Sequence, residues 1–358
     1  MELKISDSRV TTRDSNMELL RIIAMLLILL VHASYFSLGA PKAENITQYP
    51  LESFVRILVQ SIAIICVNLF VLLSGWFGIR TSIKSFSNFI FQCLFFSILI
   101  YAIALVTNIS TLSIKGVAQV FYATKLNWFI KAYIGLYILA PVLNAFIDSA
   151  NEKLFRQVLI SFFLFQTLYG WATGAAFFFE QGYSTISFCG LYLLARYIRL
   201  YSPKWSQFSS KVDLSIFIAL TIVTAVVLFF IGKISVDFHP FGDKTFPGIQ
   251  SRVLSYIAPN VIACSTFFFL IFTKFSFKSK LINWIAASSF AAFLIHANPN
   301  LLNFYIEASN KIYNDVSIWL WFPAVISFVL LVFIFSVIVD QLRKVVWTAL
   351  WNRISKTI

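Results

Sequence analysis

Residues 16–36 read NMELLRIIAMLLILLVHASYF, an apolar run interrupted by three ionisable side chains. Its length matches the roughly 20 residues that a helix needs to cross the ~30 Å hydrocarbon core of a bilayer. The run lacks the polar and apolar alternation of a barrel strand, and backbone groups in lipid must bond within their own segment. The stretch therefore predicts a transmembrane helix. No small-residue cleavage site follows it, so we interpret it as a retained span and not as a secretory signal.

The composition of the whole chain agrees with this interpretation. Hydrophobic residues make up 59% of the 358 residues and charged residues only 12%, with a mean hydropathy of +0.83. Soluble domains carry about a quarter charged residues, so this chain has too few charges to cover a water-facing surface. The net charge of +13 does not indicate a nucleic-acid partner, because the basic residues are scattered between apolar runs.

Apolar segments of suitable length recur along the chain between clusters of charged or turn residues. They are 16–37, 53–78, 86–108, 127–146, 154–172, 184–201, 212–232, 251–273, 283–302 and 317–340. The predicted fold class is an all-α, polytopic integral membrane helical bundle of about ten transmembrane helices. We predict one transmembrane domain over 16–340, between an N-terminal tail over 1–15 and a C-terminal tail over 341–358. Most Lys and Arg residues fall on the side of the termini, which predicts that both tails are cytoplasmic.

The first span contains the ionisable residues Glu18, Arg21 and His32, which are costly in lipid and usually face the protein interior. Arg21 and His32 are eleven residues apart, about three turns and roughly 16 Å along a helix, so they share nearly the same face at different depths. Judged alone, Arg21 is more typical of a snorkelling anchor at the cytoplasmic end of the helix, and Glu18 one turn earlier can pair with it. For His32 we favour a catalytic base over an interhelical hydrogen-bonding group, because its near-neutral pKa suits proton transfer from a hydroxyl.

The spacing of Arg21 and His32 within LLRIIAMLLILLVHAS resembles the opening helix of acyltransferase family 3, a family of membrane O-acyltransferases. Four further segments are similar to later parts of that family, in the same order. They are NLFVLLSGW (68–76), NWFIKAYIGLYILAPVLN (127–144), GLYLLARYIRLY (190–201) and SFAAFLIHANP (289–299). The resemblance implies a helical membrane bundle that transfers acyl groups, most often acetyl from acetyl-CoA, to sugars of cell-surface or exported polysaccharides. Two segments depart from the family pattern. Where the family often has Arg-x-x-Arg near the start of its third helix, this sequence has Arg80 and Lys84 with three residues between them, and Ala297 replaces the Asp that often follows the His of the later segment.

The expected topology separates the remaining candidate residues into two sets. Trp128, Lys131, His296 and Arg252 lie in the outer half and are the candidates for binding the sugar acceptor. Arg80, Lys84, Arg196 and Arg199 lie at inner ends with Arg21 and are the candidates for binding the phosphates of acetyl-CoA, the expected acyl donor. Four of them also have a plainer interpretation: Trp128 as an interfacial belt residue, Arg196 and Arg199 as topology anchors, and His296 as a helix-end hydrogen-bonding group.

No metal site and no bound cofactor are predicted. His239 lies between Asp237 and Asp243 in DFHPFGD, and we interpret that segment as a turn. The expected partners are acetyl-CoA, a lipid-linked or exported glycan and membrane lipid, without nucleic acid.

The sequence therefore predicts a multi-pass O-acetyltransferase of a cell membrane, a bacterial inner or plasma membrane, with His32 and Arg21 as catalytic residues. His32 could act as a general base or carry the acetyl group itself as a covalent relay. The alternative is a polytopic transporter or flippase of glycan precursors, whose intramembrane charges would line a translocation path. A non-catalytic assembly partner of polysaccharide machinery is the third hypothesis.

Overall fold

The computed structural model describes residues 14–121, 128–174, 178–234 and 246–354, and within these ranges all regular secondary structure is helical. The helices are α1 (Ser15–Val31), α2 (Ala43–Gln48), α3 (Pro50–Ala63), α4 (Cys66–Phe77), α5 (Ile83–Val106), α6 (Ile114–Phe121), α7 (Trp128–Ser149), α8 (Glu152–Phe165), α9 (Thr185–Tyr201), α10 (Ser210–Ile234), α11 (Phe246–Val253), α12 (Pro259–Thr273), α13 (Lys280–Ala286), α14 (Phe290–His296), α15 (Leu302–Asp315) and α16 (Ile318–Ile354). Segments of π-helix extend α1 over His32–Phe36 and α8 over Gln166–Ala172. The predicted all-α fold class is confirmed. His239 and most of the predicted N-terminal tail lie outside the described residues.

Several of these helices are long and apolar enough to cross a bilayer. In the described ranges they number six: Ser15–Phe36, Pro50–Phe77, Ile83–Val106, Trp128–Ser149, Ser210–Ile234 and Ile318–Arg353. The other expected segments form shorter or interrupted helices, among them the apolar Pro259–Thr273 and Lys280–His296. The predicted polytopic membrane bundle is confirmed.

One interruption has a clear local cause. The expected segment 283–302 breaks at a turn over residues 287–289, between α13 and α14. There the Ser289 hydroxyl donates to the carbonyl oxygen of Ala286 at 2.9 Å, which is how Ser side chains compete with helical backbone bonding. The break leaves α14 as a short separate helix that ends at His296.

The first helix lies at the centre of the bundle, whereas the last lies at its periphery. α1 packs against α4, α13, α14 and α16, and its Leu20, Ala24 and Leu29 are fully buried. On α16, Leu331 and Ile338 are more than half exposed. Apolar side chains on an outer surface are stable against lipid but unfavourable in water. Of the ionisable residues of α1, Glu18 is therefore buried in the bundle and Arg21 is half-buried.

The Ser-Gly motif of α4 marks the closest approach of two helices. A Cβ on Gly75 would lie 2.5 Å from the backbone oxygen of Tyr192 on α9, so only glycine allows this crossing. The Tyr192 hydroxyl accepts from the backbone N–H of Ile79 at 3.0 Å and donates to Asn144 Oδ1 of α7 at 2.7 Å. The Asn144 amide in turn donates to the Ile79 carbonyl at 3.0 Å. Three of the quoted motifs thus meet at the end of α4.

Candidate active site

Two histidines from distant parts of the chain meet in the bundle. His32 begins the π-helical segment at the end of α1, and His296 ends α14. His32 Nδ1 lies 2.6 Å from His296 Nε2, and His296 Nδ1 lies 2.5 Å from the carbonyl oxygen of Ala292. Segments of π-helix are frequent at functional sites. The geometry joins His32, His296 and Ala292 in one hydrogen-bonded chain.

The Ala292 carbonyl determines where the protons of this chain lie. A carbonyl oxygen can only accept, so His296 Nδ1 must carry the proton that it donates to Ala292. With both rings neutral, His296 Nε2 then has a lone pair and accepts from the Nδ1–H of His32. His32 Nε2 is consequently left without a proton. An imidazole in this tautomer is oriented to act as a general base.

His296 has surroundings that hold its ring in place. Its side chain is buried, and its ring centroid lies 5.1 Å from that of Tyr305 and 6.0 Å from that of Phe293. The Tyr305 hydroxyl donates to the Leu29 carbonyl on α1 at 2.8 Å. Because α15 and α1 are tied together at this point, the two histidine rings are confined from both sides.

A cavity of about 490 Å³ lies beside His32, and we call it the histidine cavity. Trp128 belongs to its wall, with its ring centroid 4.4 Å from that of Tyr183 and 5.9 Å from that of Tyr256. Among the described residues, its walls contain no Asp, Glu, Lys or Arg. The cavity therefore offers aromatic faces and neutral hydrogen-bonding groups, the combination that recognises an uncharged polar ligand.

Several polar wall residues of the histidine cavity were missed from the sequence, among them Tyr35, Gln60, Ser251 and Ser255. The Tyr35 phenol shares the cavity wall with the side chains of Gln60 and Ser251. The Ser255 side chain is 6% exposed, and its Oγ has no hydrogen-bond partner. A buried hydroxyl without a partner is costly unless a ligand or water satisfies it. The sequence signal that could have identified these residues is a polar side chain within an apolar segment. For Tyr35 there was a second signal, because it lies one helical turn beyond His32.

A second cavity, of about 460 Å³, lies at the other end of α1, and we call it the arginine cavity. Arg21 and Arg80 line it, together with the amides of Asn88 and Gln92 on α5. Arg21 donates to the buried carboxylate of Glu18, the pairing expected from the sequence. Arg80 is exposed. The two guanidinium groups give this cavity the positive charge that the histidine cavity lacks.

The α5 wall of the arginine cavity is supported by a buried ion pair of α16. Arg343 Nη2 lies 2.8 Å from Asp340 Oδ2, and both side chains are less than 5% exposed. Arg343 Nη1 donates to Asn88 Oδ1 at 3.1 Å, and Gln92 Nε2 donates to Asp340 Oδ1 at 3.2 Å. The peripheral helix thus positions both amides of the cavity wall.

Comparison with protein families bears on what these cavities do. A family model described as an acyltransferase domain, that of acyltransferase family 3, matches residues 14–340. The chain belongs to this family. The resemblance noted in the sequence is confirmed, and the protein is a membrane acyltransferase. Among curated proteins and among solved structures, no match is found.

The remaining inner candidates of this acyltransferase lie outside the arginine cavity. Arg199 donates to the Trp76 carbonyl at 2.5 Å, with its guanidinium 5.3 Å from the centre of the Trp76 ring. Arg196 donates to the same carbonyl at 3.4 Å and lies behind Gly78, a wall residue of the cavity. Lys84 is exposed, and its ammonium lies 5.6 Å from the centre of the Trp351 ring. The structure therefore brings together Arg21 and Arg80 but not the other three basic residues.

The outer candidates are likewise divided. Arg252 donates to the carbonyl oxygens of Trp171 at 3.2 Å and Ala172 at 3.5 Å, and it is not part of the histidine cavity wall. Lys131 is exposed and lines a separate pocket of about 200 Å³ with Asn298. The acyltransferase therefore brings only Trp128 and His296 close to His32. No group of three His, Cys, Asp or Glu in the described part of the chain could hold a metal ion.

Proposed function

We propose that this acyltransferase is an O-acetyltransferase that moves acetyl from acetyl-CoA to a sugar hydroxyl of a cell-surface or exported polysaccharide. The observation that carries the proposal is the hydrogen-bonded chain from His32 through His296 to Ala292, which leaves His32 Nε2 unprotonated beside a cavity of neutral walls. The proposed cellular setting is a bacterial inner or plasma membrane with both termini in the cytoplasm.

The proposed reaction needs one base that can return its proton. The sugar oxygen attacks the thioester carbonyl carbon while its proton passes to His32 Nε2, and a carbon–oxygen bond forms. The carbon–sulfur bond then breaks, and the departing sulfur takes the proton from His32. The products are an acetyl ester and free coenzyme A. His296 stabilises the charged imidazolium between these steps, because its Nε2 accepts from His32 Nδ1–H.

The donor would bind in the arginine cavity. Coenzyme A carries phosphates and is cytosolic, and Arg guanidinium groups bind phosphate in bidentate fashion. Arg21 and Arg80 supply two such groups, and Asn88 and Gln92 supply neutral hydrogen bonds. Arg21 and His32 are separated by about 16 Å along α1. The donor would therefore extend from its phosphates towards the histidines along the axis of the bundle.

The acceptor would bind in the histidine cavity. Trp128 offers a ring on which a sugar can stack, and Tyr35, Gln60, Ser251 and Ser255 offer hydrogen bonds to hydroxyl groups. A neutral sugar suits these walls, because a charged ligand would lose its hydration without gaining a partner there.

The test is transfer of radiolabelled acetyl from acetyl-CoA into the polysaccharide fraction of membranes that carry the protein. We expect label with wild type and none with His32→Ala or His32→Gln at matched expression. Ser265→Ala is the control, since Ser265 is fully buried on α12 and bonds only the Val261 carbonyl. Wild-type transfer by the His32 variants would disprove the proposed base. Absence of label with every variant would favour the transporter.

A further inference from the structure

The arginine cavity and the histidine cavity share a single described wall residue, Phe129 of α7. Its side chain is 7% exposed. On α7 the residue before it, Trp128, lines the histidine cavity, and Tyr133 lines the arginine cavity one turn later. On α14, likewise, Phe293 lines the histidine cavity, and Phe290, one turn earlier, lines the arginine cavity. The wall between the cavities is therefore about one helical turn thick, roughly 5 Å.

Aromatic rings hold Phe129 in this position from both sides. Its ring stacks on that of Tyr133 at a centroid distance of 5.9 Å and an interplanar angle of 20°. Edge contacts follow with Phe293 at 5.9 Å and with Phe70 at 6.2 Å. Contacts of this kind between rings are individually weak. Phe129 is thus a closed partition between the two cavities.

We propose that Phe129 is the gate between the two cavities and sets the largest acyl group that the enzyme transfers. This inference rests on the proposed function: a donor held by Arg21 and Arg80 must present its thioester to an acceptor beside His32. The only described side chain that both cavities touch then lies in the path of the acyl group. A small acyl group passes when the ring turns, whereas a longer chain collides with the ring and with Phe293 behind it.

The first test compares transfer from acetyl-CoA with transfer from butyryl-CoA. Each added methylene in a closed apolar site changes specificity by about 10-fold or more, so we expect the butyryl to acetyl rate ratio to rise at least tenfold in Phe129→Ala. Phe129→Leu should show a smaller rise and serves if the alanine variant is poorly folded. The matched control is Phe155→Ala, since Phe155 is fully buried on α8 and lines neither cavity. An unchanged ratio in both Phe129 variants would overturn the proposal.

The second test needs no acyl transfer. Cys66 is buried and lines the histidine cavity, so its alkylation reports entry into that cavity. With Cys93, Cys189 and Cys264 replaced by Ala, a small membrane-impermeant thiol reagent is added to sealed vesicles on the face where Arg80 is exposed.

We expect Phe129→Ala to speed Cys66 labelling from that face several-fold, and Phe155→Ala to leave it unchanged. Equal labelling rates in the two variants would contradict the gate. If no variant transferred any acyl group but Phe129→Ala labelled faster, the gate would stand and the proposed function would fall.

Discussion

The two ends of the first helix form cavities of similar size and opposite chemistry. The arginine cavity measures about 460 Å³ and has two guanidinium groups, whereas the histidine cavity measures about 490 Å³ and has neutral walls in the described part of the chain. Volume alone would not tell them apart. Charge does, because a phosphate-bearing donor requires cations and a sugar hydroxyl does not. The difference teaches that one helix, with Arg21 and His32 eleven residues apart, can serve a different partner at each end.

The largest expected effect falls on the base of the histidine cavity. We expect His32→Ala to lower kcat by about 10²- to 10⁴-fold, the range of general base catalysis, with the KM for acetyl-CoA nearly unchanged. The measurement is steady-state transfer kinetics in purified membranes. A raised KM for acetyl-CoA with normal kcat would place His32 in donor binding. It would then contradict the assignment of the donor to the arginine cavity and of the acceptor to the histidine cavity.

The second effect concerns His296 as a positioning residue. His296→Ala removes the acceptor for His32 Nδ1–H, and the loss of one such hydrogen bond should lower kcat about tenfold. His296→Gln offers an amide oxygen to the same N–H and should retain part of the rate. If Gln and Ala variants were equally slow at every pH, the role of His296 would be structural support alone.

The third effect belongs to the arginine cavity. Arg80→Ala should raise the KM for acetyl-CoA about fivefold and leave kcat unchanged, because an exposed ionic contact is worth little. The rise should shrink as salt is added. Lys84→Ala is the control on the same segment, since Lys84 lies outside the cavity. Equal effects from both variants would indicate a general surface potential in place of a bound phosphate.

The smallest effect concerns the acceptor. Ser255→Ala removes one buried hydroxyl that has no partner within the protein, and it should raise the KM for the acceptor about threefold. The KM for acetyl-CoA should stay the same, as measured with the acceptor saturating. A change confined to the donor would contradict the assignment of the histidine cavity to the sugar.

Part of the site could be read from one helix at a time. The difference in depth between Arg21 and His32 follows from their spacing and the rise of a helix. Arg21 lines the arginine cavity at one end of the first helix, and His32 lines the histidine cavity at the other. Of the inner basic residues, however, Arg80 lines the arginine cavity, whereas Arg196 and Arg199 bond the Trp76 carbonyl. The sequence offered no way to choose among them, because membrane helices are apolar on the lipid side and on the inner side alike.

By itself, the sequence determined that this protein is an all-α membrane bundle of acyltransferase family 3, because hydrophobic length and ordered motifs are local properties of the chain. The tertiary structure alone decided that His32 meets His296, 264 residues later, and that Phe129 separates the two cavities. Both depend on how helices far apart in sequence cross, and α14 is a separate helix because the chain breaks at residues 287–289. Such crossings depend on side-chain packing between helices, which hydropathy along a single segment does not record.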